Sequence, residues 1–243
     1  MIRMITVETL GSSSAGNCYR LLSGGRSLLL ECGLPWREIR RKLNFETTNL
    51  DGCLVSHFHG DHARSLRDLL KSGISVYASP ETLEHSGRVD HHRAVPVNHS
   101  LMSWSVGEVG ESWKVRAFDT VHDAEGSLGF EVCDDAGDKL VFLTDTAYCK
   151  YRFSGVNVLM IEANYSESIL AANVEAGKIE PARAKRVREN HMSIARVLDF
   201  LKANDLSRCR AIHLIHGSDG SSDSAVFKKM VQESTGIPTF VEG

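Results

Sequence analysis

Residues 50–62 read LDGCLVSHFHGDH. The first seven suit a buried strand, and the last six crowd three histidines and an aspartate into one short turn. A helix-like stretch follows at 61–73, DHARSLRDLLKSG, with Leu66, Leu69 and Leu70 on one face and Gly73 as its stop. At the end of a strand the pleat points His57 and His59 the same way. Asp61 and His62 fall at the turn into the helix, where they can face a second position nearby. So many imidazoles beside a carboxylate are costly to hold together unless a cation joins them. Nitrogen and oxygen donors of this kind suit Zn²⁺, and also Mn²⁺ or Fe²⁺.

Outward from that turn, short apolar runs read as strands at 2–10, 18–22, 27–31, 74–78, 113–118, 128–133, 139–144, 156–162, 209–215 and 239–241. Asp134, Asp135 and Gly137 supply a hairpin turn. Helical patterns follow Pro35 (WREIRRKL) and Ser79-Pro80, run through 165–203, and return at 224–232. Within the long stretch Ser193 stands as an N-cap before Ile194, Val197, Leu198 and Leu201. Strands followed by helices in both halves predict a layered α/β protein with helices outside two sheets. No linker-like composition divides the chain, so residues 1–243 are read as a single domain.

The 243 residues carry 28 basic and 31 acidic side chains, a net charge of −3, with 42% apolar and 24% charged residues. That mix argues against disorder and against a polycation; binding to nucleic acid would need a local basic patch. The patch is present at 177–190, GKIEPARAKRVREN, where Lys178, Arg183, Lys185, Arg186 and Arg188 face only two acids. A solvated helix face is the ordinary meaning of such a run; a grip on a phosphate backbone is the functional one. No secretory leader is read at the N-terminus and no stretch reaches the length needed to span a bilayer. The six cysteines form no CxxC pair and read as buried reduced thiols of a cytoplasmic protein.

The turn HFHGDH after a strand resembles the HxHxDH signature of the metallo-β-lactamase fold superfamily, which implies a four-layer αββα sandwich. The resemblance extends to His122 after VRAFDTV, Asp145 after LVFLT and His216 after AIHLI, each at the end of an apolar run. It implies that His57, His59 and His122 hold one divalent ion, that Asp61, His62 and His216 hold a second, and that Asp145 bridges the two. With no cysteine at a ligand position, the set is similar to the hydrolase and nuclease branches. GSSSAGNCYRL, VHDAEGSLGF, LTDTAY and MIEANYS resemble the YycJ (WalJ) exonuclease branch, which is related to ribonuclease Z and ribonuclease J.

That resemblance implies a metal-dependent phosphodiesterase, a 5′→3′ exonuclease on DNA, whose nucleophile is a hydroxide bridging two ions, Zn²⁺ first and Mn²⁺ or Fe²⁺ next. Asp61 and Asp145 would orient the attacking water. His191, in ENHMSIA, resembles the ribonuclease Z histidine that reaches the scissile phosphate, and would serve as proton donor. Ser13, Ser14 and Asn17, in a hydroxyl-rich loop, are candidate phosphate contacts beside Arg183, Lys185 and Arg186. Glu162, Asn164 and Ser166 are candidates to support the ligands. His85, His91, His92, His99 and His213 read as structural or exposed. Three alternatives stay open: an RNA-directed nuclease, a hydrolase of thioesters, lactones or cyclic phosphodiesters, and a non-catalytic metal-stabilised binding module.

Overall fold

The computed structural model describes residues 4–98, 107–110, 112–218 and 220–242, and contact density divides the chain into two units. The first comprises Met1–Asp119 with Ala124–Leu140, and the second Thr120–Asp123 with Val141–Gly243. His99 lies outside the described residues.

In the first unit the chain forms β1 (Thr6–Gly11), β2 (Cys18–Ser23), β3 (Arg26–Leu30), α1 (Trp36–Lys42) and β4 (Leu50–Leu54). It continues through α2 (Gly60–Ala63), α3 (Leu66–Lys71), β5 (Val76–Ala78), α4 (Pro80–Ser86) and β6 (Ala94–Pro96). β7 (Gly107–Val109), β8 (Trp113–Asp119) and β9 (Leu128–Asp134) complete it. One sheet runs in the order β1-β2-β3-β4-β5-β6, antiparallel as far as β3 and parallel beyond it. Leu28, Leu29 and Leu30 are fully buried, as a central strand covered on both faces requires. β7, β8 and β9 pair antiparallel. They are tied to the first sheet by buried polar contacts. Ser23 Oγ donates to Asp134 at 2.6 Å, Trp113 Nε1 to Asp51 at 2.9 Å, and Leu128 N to the Ser56 carbonyl at 2.9 Å. Asp134 also builds the expected turn, accepting from Ala136 N and Asp138 N.

β10 (Lys139–Leu143) begins in the first unit and ends in the second. The second unit continues with β11 (Val158–Glu162), α5 (Glu167–Glu175), α6 (Pro181–Asn190), α7 (Ile194–Ala203), β12 (Ala211–Ile215), α8 (Ser224–Thr235) and β13 (Thr239–Val241). β11, β12 and β13 pair parallel, and the register sets Glu162 opposite Ile215. Glu162 therefore ends its strand beside His216, the residue that follows β12.

Two expected helices are broken, each for a stated reason. The stretch 61–73 divides at Arg64 and Ser65. There Ser65 N leaves the helical ladder for the Cys32 carbonyl at 2.9 Å, and its hydroxyl donates to the Leu34 carbonyl at 2.6 Å. The stretch 165–203 divides at Gly177 (φ 67°) and again at 191–193. At the second break Asn164 N donates to the Met192 carbonyl and Ile194 N to the Tyr165 carbonyl, which draws His191 into an extended conformation. Ser193 then caps α7 as expected, accepting from Arg196 N at 3.3 Å. β6 and β7 were not foreseen. The cysteines are free, but only Cys18, Cys32 and Cys53 are buried; Cys133, Cys149 and Cys209 are half-buried because their strands or turns meet solvent.

The histidine turn is bolted to the 31–33 segment by its backbone. Asn17 N donates to the Asp61 carbonyl, Gly33 N to the Asn17 carbonyl and Cys32 N to the His62 carbonyl, each at 2.8 Å. A Cβ on Gly33 would stand 1.7 Å from the Asp61 carbonyl oxygen and 2.8 Å from Asn17 N. Gly33→Ala must therefore shift backbone on both sides. It is expected to destabilise the protein by about 3 kcal/mol, at the upper end of overpacking costs, lowering Tm by roughly 6–12 °C at this chain length. A thermal or urea melt with an unchanged midpoint would contradict this account of the turn.

Candidate metal centre and its supports

Parallel strands deliver their functional residues at their carboxyl ends, and both units do so here. In the first unit β4 runs straight into His57, His59, Asp61 and His62. His57 and His62 are buried, while His59 and Asp61 are half-buried. The Ser56 hydroxyl lies 2.9 Å from His57 Nδ1, which leaves His57 Nε2 at 3.1 Å from His59 Nδ1. The His57 and His62 rings are 4.2 Å apart, and His62 Nε2 is 3.3 Å from Asp61 Oδ2. Two ring nitrogens converging at hydrogen-bond distance beside a carboxylate are a donor set for a cation.

Asn17 does not reach outward from its loop. It is 1% exposed, and its amide nitrogen approaches the Asp61 carbonyl and His62 Nε2, both at 3.3 Å. Ser13 is half-buried and accepts from Ala15 N, and Ser14 is exposed. Glu31 was not foreseen. It is fully buried with φ 65°; its carboxylate accepts from Ser56 N at 3.2 Å and lies 3.6 Å from His62 Nδ1. The available signal was an acid closing the apolar run RSLLL.

The second unit gathers Asp145, Glu162, His191 and His216. Each offers one ligand atom, and these atoms all lie within 4.8 Å of one another. His216 Nδ1 is 3.0 Å from Asp145 Oδ1 and 3.7 Å from Glu162 Oε2. His122 joins them, its Nε2 3.7 Å from Asp145 Oδ2. Its segment is held by Ala147 N donating to the Val121 carbonyl and Val121 N to Thr146 Oγ1, both at 2.9 Å. Asp145 and His216 have φ of 42° and 53°, a conformation that side-chain-bearing residues adopt at a cost. Two imidazoles with two carboxylates make an all-nitrogen-and-oxygen set that fits a divalent ion.

Glu162 organises this cluster. It accepts from Thr146 N at 2.6 Å, Met192 N at 3.0 Å and His191 Nδ1 at 3.1 Å. Burial pushes its carboxyl up, but His191 and His216 outweigh that and hold it below its ordinary range. Burial also pulls the His191 imidazole down, and the Glu162 charge overcomes it, so the net shift is upward. His122 is shifted the other way, because burial dominates there. Asn164 supports His216, donating to its carbonyl at 3.0 Å. Ser166 instead shares its hydroxyl with Ser168.

Most of the basic run forms α6, where three of the four basic side chains are already matched. Arg186 is paired with Asp123 at 3.0 Å, Arg188 with Glu167, and Lys185 lies 3.7 Å from Glu189. Arg183 is exposed with no ion pair among the described residues. Of the remaining histidines, His213 is held by Glu242 at 2.7 Å, His91 and His92 stack on each other, and His85 stacks on Phe58.

The sequence model of the family described as the β-lactamase superfamily domain matches residues 26–214. The exodeoxyribonuclease WalJ of Streptococcus pneumoniae is 29% identical over 186 residues, which cover 70% of this chain and 66% of that protein. The exodeoxyribonuclease YycJ of Bacillus anthracis is 27% identical over 173 residues, covering 67% of this chain and 64% of that one. The chain thus spans just under two thirds of the length of these curated relatives. Among solved structures, the metallo-β-lactamase fold protein YhfI of Bacillus subtilis superposes with a TM-score of 0.69 at 14% identity, covering 97% of this chain and 95% of that one.

Removing the Glu162 carboxylate strands two buried amides. Glu162→Ala is expected to cost roughly 2–6 kcal/mol, about 1–3 kcal/mol for each orphaned donor. Glu162→Gln, which keeps an acceptor oxygen, should cost less than half of that. Urea midpoints of the two variants decide it, and equal losses would count against the hydrogen-bonding role.

Proposed function

The chain belongs to the β-lactamase superfamily and has the metallo-β-lactamase fold, and from that premise we propose that it is a metal-dependent phosphodiesterase, a nuclease acting as a 5′→3′ exonuclease on DNA. The observation that carries the reading is the convergence of Asp145, Glu162, His191 and His216 at the carboxyl ends of buried strands, with ligand atoms inside 4.8 Å. The names of the WalJ and YycJ relatives support a DNA substrate over RNA.

In this reading His57, His59 and His122 would hold one divalent ion, Asp61, His62 and His216 the other, and Asp145 would serve both. Bound there, the ions would acidify a water and offset charge growing on the phosphate oxygens. The protein's own groups do the rest. Asp61 and Asp145 orient the attacking water. Glu162 holds His191 through Nδ1 at 3.1 Å, and His191, as the imidazolium, would give the proton on its other ring nitrogen to the leaving oxygen. Arg183 and Lys185 grip backbone phosphates without reading sequence, with Arg186 held nearby on Asp123. Ser13 and Ser14 offer further phosphate contacts. Asn17 contributes by steadying Asp61 and His62.

His59→Ala and Asp61→Ala are expected to lower turnover of bis-p-nitrophenyl phosphate and of end-labelled DNA by more than the roughly 100-fold that loss of a supporting residue costs. Circular dichroism should remain native. Chelation should abolish the activity, and added Zn²⁺ or Mn²⁺ should restore it. Full activity in the chelated protein would overturn the reading. Product lengths on single- and double-stranded DNA and RNA separate exonuclease from endonuclease and DNA from RNA.

The paired substitution Arg183→Ala with Lys185→Ala is expected to weaken DNA binding and to reduce the slope of log K against log salt by about 2, close to one per lost phosphate contact. An unchanged slope would make α6 an ordinary solvated surface.

A further inference from the structure

The first unit carries a recess that the proposed metal centre does not use. It measures about 170 Å³, and its walls include Phe58, Ala63, Arg64, Arg67, Thr82 and His85. The Phe58 and His85 rings stack face to face, at 4.0 Å between centroids with 17° between planes, and the exposed His85 ring keeps its outer face open to a further ring. Phe58 sits between His57 and His59, and its ring lies edge-on to His59 at 5.3 Å. The recess therefore opens one residue from the expected metal ligands. Arg67 is pinned in place, its Nε donating to the Ser86 carbonyl at the end of α4. Arg64 is exposed and, among the described residues, makes no ion pair. No acidic residue lines the recess.

A stacked aromatic pair flanked by two guanidinium groups, without a compensating acid, suits a ligand that is both heteroaromatic and anionic. The volume lies below the roughly 300–1,000 Å³ of pockets that enclose a whole small molecule, so it accommodates one ring with its charged part outside. We propose that this recess is a nucleotide subsite: one unstacked nucleobase lies on the outer face of the His85 ring, continuing the Phe58–His85 stack, and Arg64 and Arg67 hold the adjoining phosphate. This rests on the nuclease reading and deepens it, because a base held beside His57 and His59 sets the register of the neighbouring phosphodiester. Stacking tolerates every base, so the subsite gives grip and register without sequence preference.

The test compares binding of a short phosphorothioate-linked oligodeoxyadenosine with its abasic counterpart, by fluorescence anisotropy on the metal-loaded protein. The parent is expected to prefer the base-bearing strand by roughly tenfold or more, in line with the worth of one base–aromatic stack. His85→Ala and His85→Leu should erase that preference, and His85→Tyr should restore it. Arg64→Ala should weaken both strands alike. Because His85 and Arg64 are exposed, the melting temperature should not move. A preference that survives His85→Ala, or a parent that binds both strands equally, overturns the subsite while leaving the nuclease reading intact. A parent that neither binds nor cleaves any oligonucleotide overturns both.

Discussion

One carboxylate, Glu162, takes hydrogen bonds from two backbone amides and an imidazole in the interior of the second unit. Its position has a high cost, since a buried carboxylate without partners would give up its charge. The partners come from two stretches of chain: Thr146 after β10, and His191 and Met192 between α6 and α7. Satisfying one acid therefore ties two other segments to the end of β11. The 191–193 break follows from the same demand, because a continuous helix would spend the Met192 amide on a carbonyl four residues back.

The first unit solves a similar problem with Glu31. There the acid closes β3, accepts from Ser56 N and stands beside His62, while Cys32 and Gly33 fasten the histidine turn through backbone bonds. Each unit thus buries an acid beside a histidine of the candidate site, Glu162 beside His191 and Glu31 beside His62. Such an acid sets the ring's orientation and raises its basicity as a donor.

The readable part of the site is its contiguous part. HFHGDH is legible because its residues meet one another through local geometry alone, and His122, Asp145 and His216 only as a set, through the family resemblance that expects them in that order after strands. Strand positions followed from apolar runs, with ends off by at most two residues except at β1, which begins at Thr6 rather than residue 2. What escaped reading depends on distant partners. Ser65 breaks a helix for a carbonyl at Cys32, and His191 is made extended by Tyr165 and Asn164. Arg186 and Arg188 look like free charge in the sequence, yet their partners Asp123 and Glu167 lie 63 and 21 residues away. Asn17 reads as a polar loop residue until its amide is seen under Asp61.

Backbone strain follows the same division. Glu31, Asp145 and His216 are all non-glycine residues with positive φ, at 65°, 42° and 53°. Each such residue costs on the order of 1–3 kcal/mol, and glycine would relieve it. Glycine cannot replace them, because each position needs its side chain: Glu31 for Ser56 N, Asp145 and His216 for one another at 3.0 Å. The turn comes just past a strand's end, one residue beyond β3 and β12 and two beyond β10. Fully buried strands such as β11, with all five residues inside, offset that cost. The apolar strands are long enough to hold the chain in place, and the strain falls where they stop.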